Sequence, residues 1–145
     1  MTSILRWAAA VVAAMVMTSC STANQEASFC EASAELQKID ALSAEVSPSD
    51  DAATRGALTQ TAAQAARVAK EAPHEIRRDA ELVAAFLLAL SNAVNNTKSE
   101  DSLERSAAIG AAQQEFEDQL SDSVAKLAGF VSRTCLLYTS DAADE

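Results

Sequence analysis

Few residues of this 145-residue chain have types that do chemistry, and their spacing points away from catalysis. Cysteines stand at 20, 30 and 135, the single histidine at 74 and the single tyrosine at 138. His74, in Pro73-His74-Glu75-Ile76, falls where a helix is expected to start, and an exposed or capping place is its default. A metal or haem site needs further ligands, and no second histidine exists to supply one. Glu115, Glu117, Asp118 and Asp122 cluster on what reads as the last helix. Calcium sites want loop carbonyls and a turn glycine as well, so the cluster reads as a solvated face. Arg77-Arg78-Asp79 reads as a surface run making local helix pairs, and Gly110, among small residues, as a close packing contact. Asn95-Asn96-Thr97 matches a glycosylation sequon. No nucleophile–base pair, phosphate loop or CxxC motif occurs. The expectation is a protein that is not an enzyme and holds neither metal nor cofactor.

The first cysteine closes a recognisable segment. Arg6 precedes an apolar run from Trp7 to Met17, followed by the small residues Thr18 and Ser19 and then Cys20. A positive start, an apolar middle and a small-residue boundary are the parts of a secretory signal. The run is shorter than the ~20 residues that span a bilayer. Met17-Thr18-Ser19-Cys20 resembles the lipobox of bacterial lipoproteins, with Met17 where leucine is usual. The resemblance implies a signal peptide over 1–19, cleavage before Cys20 and diacylation of its thiol, often with a third chain on the new N-terminus. Two or three chains suffice for stable anchoring. It thus implies an exported protein, lipid-anchored on the extracytoplasmic side of the cell membrane. The other reading is a conventional signal cut near Ala23, giving a free secreted protein.

The opposite end, Cys135 to Glu145 (CLLYTSDAADE), resembles the translation of a transposase-type sequencing adapter. That resemblance implies a foreign tail, with Leu136 to Glu145 outside the core, although Leu136, Leu137 and Tyr138 continue an apolar run able to extend a helix. The domain is therefore read to Thr134. With Cys20 lipidated, Cys30 and Cys135 remain, and one disulfide between them suits an exported protein. It would tie the first helix to the last, and closing a loop of ~100 residues could contribute up to about 5 kcal/mol. A cysteine near each end of an Ala-rich helical domain resembles small actinobacterial export proteins, which is consistent with a native cysteine near 135. Cys135 itself opens the adapter-like string, so two readings stand: a native cysteine at that place, or a pairing that is an accident of the foreign tail.

The formal net charge is -10; setting aside Asp141, Asp144 and Glu145 gives -7, and setting aside Arg6 as well gives -8. Such a balance argues against nucleic acid and against electrostatic attraction to anionic head groups. Leu, Ile, Val and Phe supply only 23 of the 115 residues from 20 to 134, about the level below which charged chains tend to disorder. Periodicity must therefore carry the fold.

The periodicity is helical. Residues 20–27 (CSTANQEA) read as a polar tether. Phe29, Leu36, Ile39, Leu42 and Val46 keep helical spacing until Ser47-Pro48 breaks it. Ser49 reads as the N-cap of a second helix, with Asp50 and Asp51 in its first turn. Leu58, Ala62, Ala65, Val68 and Ala69 form its stripe, which stops before Pro73. A third helix from His74 or Glu75 carries Ile76, Val83, Phe86, Leu87, Leu90 and Val94 and ends at Asn95-Asn96-Thr97. Ser99 reads as the cap of a fourth, whose stripe runs from Leu103 through Phe116, Leu120, Val124 and Leu127 to Val131. No segment alternates like a strand. Short connections and four amphipathic helices predict an all-α, up-down antiparallel four-helix bundle over 28–134. Leu36, Ile39, Leu58, Val83, Phe86, Leu90, Phe116, Leu120 and Leu127 are its expected core.

Two functions fit. One is a non-enzymatic module of the cell envelope, anchored at Cys20, that contacts an unidentified envelope protein or polymer. The other is a carrier of a small apolar ligand between helices, around Phe86, Leu90 and Phe116. A carrier would show a hydrophobic cavity of a few hundred Å³; a module would show a filled core and an exposed apolar patch. The slim alanine core favours the module.

Overall fold

The computed structural model describes the backbone of residues 19–43 and 50–141, and the side chains of 23–38 and 50–136. Residues 1–18 of the expected signal peptide 1–19, the Ser47-Pro48 break and the side chains of Cys20, Ile39, Leu42, Val46 and Tyr138 lie outside the described residues. Four helices follow in order and no strand occurs among the described residues: α1 Ser19–Ser43, α2 Asp51–Glu71, α3 His74–Asn95 and α4 Ser102–Asp141. None is long and apolar enough to cross a membrane.

The registers make every neighbouring pair antiparallel. Gln25 and Gln64 of α1 and α2 donate to the carbonyls of Ala72 and Ala32. Thr59 meets Ser91 across α2 and α3, and Asp79 meets Ser123 across α3 and α4. α1 packs along α2, α2 along α3 and α3 along α4, whereas the seam between α1 and α4 is sparse. The up-down bundle is closed on three sides and loosely on the fourth.

Local chemistry sets the boundaries, with three departures from the sequence expectation. Residues 20–27 are not a tether but the opening turns of α1. They contain no Gly or Pro, and the Gln25 amide fastens them to the C-terminus of α2 at Ala72. Asp50, not Ser49, caps α2, its carboxylate accepting from the Ala53 amide at 3.0 Å. Asp101, not Ser99, does the same for Glu104 of α4, because the Ser99 hydroxyl donates instead to Asp51 at 2.5 Å. Pro73 ends α2 as expected: Ala72 is extended (φ -61°, ψ 132°), the conformation that the residue before proline prefers.

The core is built differently from the expected set. Its buried members are Phe29, Ala32, Ala65, Val68, Ala69, Ala72, Ile76, Ala80, Ala84 and Phe130. Leu36, Leu58, Val83, Phe86, Leu90, Phe116, Leu120 and Leu127 are only half-buried. Alanines let helices approach closely, so the interior line is alanine and the large aliphatic side chains straddle its edges, where no further layer covers them.

Candidate functional site

The sparse seam between α1 and α4 is an elongated groove of about 730 Å³. α1 contributes the exposed Ala27 and Ala34, and α4 contributes Leu127, Ala128 and Val131, with Val68 of α2 and Val83 of α3 at the floor. Ala27, Ala34 and Ala128 put only methyl groups into the seam, so little side-chain volume fills it. Among the described residues, no aromatic ring and no Lys, Arg or His lines it. Its polar members are Glu31, Gln37, Ser132 and Ser33. Ser33 is 6% exposed, and its hydroxyl finds no hydrogen-bond partner among the described residues.

One end of the groove is covalently fixed. Cys30 and Cys135, both lining it, form a disulfide with a Cα separation of 5.3 Å. Beneath lie Phe29, fully buried, and Phe130, in edge contact with ring centroids 5.6 Å apart. The cysteine arithmetic of the sequence thus names a bonded pair. Helix continues past it through Asp141, and Leu136 lines the groove while remaining 62% exposed.

The other residues singled out from sequence are dispersed. Cys20 is the second residue of α1. Phe86 and Phe116 meet edge to face at 5.7 Å between α3 and α4, and neither they nor Leu90 line the groove; each ring fills the space that a ligand between them would need. His74 is exposed at the start of α3. Glu115, Glu117, Asp118 and Asp122 are exposed along α4, and no three His, Cys, Asp or Glu converge as a metal site among the described residues. Gly110 is not a close contact, since a Cβ there would meet nothing within 4 Å. Arg77 is more than a surface charge: its guanidinium donates twice to the Ala72 carbonyl, at 3.1 and 3.0 Å, capping the end of α2.

A polar hub at the opposite pole escaped the sequence reading. Asp51 accepts from Arg55 Nε at 2.7 Å, Ser99 Oγ at 2.5 Å and Arg105 Nη1 at 2.9 Å. Arg55 also donates to the carbonyls of Val94 and Thr97, and Arg105 to that of Lys98. Its donors hold the Asp51 carboxyl at about 2, first the Arg55 hydrogen bond and then that of Ser99. The available signal was the i, i+4 spacing of Asp51 and Arg55 at a helix start. Every charge in this hub is matched by a partner within the fold, so its work is to fasten α2 to the α3–α4 connection.

Comparison of the chain with protein-family models, with curated proteins and with solved structures finds no match in any of the three.

Proposed function

We propose that this chain is a non-enzymatic binding protein of the bacterial envelope, lipid-anchored at Cys20, and that the α1–α4 groove receives one aliphatic chain. The groove itself carries the proposal. Its volume lies within the ~300–1,000 Å³ typical of ligand sites, and its walls are mostly apolar. The absence of lining rings removes any stacking surface for a flat aromatic ligand. Among the described lining residues there is no cation, and the one carboxylate, Glu31, lies 3.9 Å from the Arg67 guanidinium, so the slot offers no free charge and suits a neutral chain. A partner helix suits it poorly. Along the eleven residues from Ala27 to Gln37, a helix ~10–12 Å across would occupy roughly 1,200 Å³ or more, against about 730 Å³ here. Each methylene moved from water into the groove contributes about 0.8 kcal/mol.

The test uses the mature chain with Cys20→Ser, so that no lipid is attached, and parinaryl alcohol, a straight neutral chain that fluoresces in apolar surroundings. One-to-one saturable binding is expected, with Kd on the order of 1 μM. Ala34→Trp with Ala128→Trp, both at exposed groove positions, should abolish it, and Leu88→Trp, exposed elsewhere on α3, should not. Binding that ignores the groove substitutions would overturn the reading.

A further inference from the structure

We infer that the chain occupying the groove is one of the acyl chains carried by Cys20 itself, folded back along α1, so that the protein sheathes part of its own anchor. The inference rests on the lipidation and groove readings above, and its test separates its failure from theirs.

Because α1 begins at Ser19, no loop intervenes between Cys20 and the groove wall. Cys20, Ala27 and Ala34 follow at seven-residue intervals, drifting only ~20° per interval around the helix. They share one face, and Ala27 and Ala34 are groove residues. The helix fixes the separations at about 10 Å from Cys20 to Ala27 and about 21 Å to Ala34. Ala27 and Leu136 extend the groove past the Cys30–Cys135 disulfide on the side of Cys20. A chain leaving position 20 along this face therefore reaches the slot at its Ala27–Leu136 end and runs on past the disulfide, itself part of the lining, towards Ala34. Its charge also fits: acyl esters on a thioether-linked glycerol are neutral, as the cation-free lining requires.

Sheathing has a defined consequence. Two acyl chains hold a protein stably to a bilayer and one holds it only marginally and reversibly. A diacylated Cys20 with one chain in the groove is thus a reversible anchor, and a triacylated one stays bound through its remaining two. Groove and bilayer interior are similarly apolar, so the two sites compete closely.

The experiment compares the mature lipidated chain, dispersed in detergent-free buffer, with its Cys20→Ser counterpart, both titrated with parinaryl alcohol. The expected result is saturable binding by the unlipidated chain and at least tenfold weaker binding by the lipidated one. Ala34→Trp with Ala128→Trp in the lipidated chain should raise the fraction retained on phosphatidylcholine vesicles several-fold, because the displaced acyl chain returns to the membrane. Equal binding by both forms overturns the inference and leaves the proposed function standing. Binding by neither overturns both. A dimer of the unlipidated chain that Ala34→Trp disrupts would make the groove a self-association face and overturn the inference.

Discussion

At one pole of the bundle, Asp51 gathers Arg55, Ser99 and Arg105 into a hub joining the start of α2 to the α3–α4 connection. At the other, Phe29 and Phe130 pack beneath the Cys30–Cys135 bond that joins α1 to α4. The hub is directional and titratable, and its charges are satisfied within the fold. The disulfide pole is apolar and indifferent to pH, and it fastens a seam that side-chain packing leaves open. A covalent link lets α1 and α4 stay together without filling the space between them. The groove exists because the bundle is closed there by a bond rather than by a core.

Breaking the bond should give the largest effect. Cys135→Ser removes a crosslink between residues 105 apart in sequence, and a loop of that length implies a loss of about 4–5 kcal/mol, read as a lower urea midpoint. Hydrogen exchange should rise first in α1 while α2 and α3 keep their protection. Phe29→Ala should follow at about 3–4 kcal/mol, since it empties the one large side chain that is fully buried; calorimetry under oxidising conditions checks it. At the other pole, Arg55→Ala should cost about 2 kcal/mol by removing charge-assisted hydrogen bonds, with parinaryl alcohol binding unchanged.

Acid should distinguish the poles further. The carboxyl of Asp51 titrates at about 2 in the fold against 3.8 as its ordinary value. Its stabilisation is therefore present above about pH 4 and is lost as the pH falls toward 2. Melting temperature should drop across that window in the wild type and in Phe29→Ala, and drop less steeply in Asp51→Asn. The smallest effect should be a gain. Gly110→Ala meets no neighbour and should stabilise α4 by about 0.5–1 kcal/mol, measured by urea denaturation.

The sequence made the class of fold legible because apolar spacing, Pro73 and the Asp-rich helix starts all act locally. The pair Cys30–Cys135 was one reading of the cysteine count, reached by setting Cys20 aside for lipid and set against the alternative that Cys135 belongs to an adapter-like tail; the structure bonds the two. The core was legible in part: the α2 stripe Ala62, Ala65, Val68 and Ala69 is buried as read, whereas Phe86, Leu90 and Leu120 outrank, in sequence, the alanines that close helix approach buries instead. The groove was out of reach. It depends on how α1 stands against α4, which follows from the packing of α2 and α3 between them and from the Cys30–Cys135 bond, not from any local spacing. The hub was half visible in Asp51 and Arg55, while Arg105 and Ser99 join it only through the fold.

The central claim, that the α1–α4 seam holds an aliphatic chain, is tested most directly by nuclear Overhauser contacts between the methylenes of bound hexadecanol and the protein methyl groups. The account expects contacts at Val68, Val83, Leu127 and Val131 and none at Leu90. Contacts centred on Leu90 and the rings of Phe86 and Phe116, or no contacts at all, would contradict it.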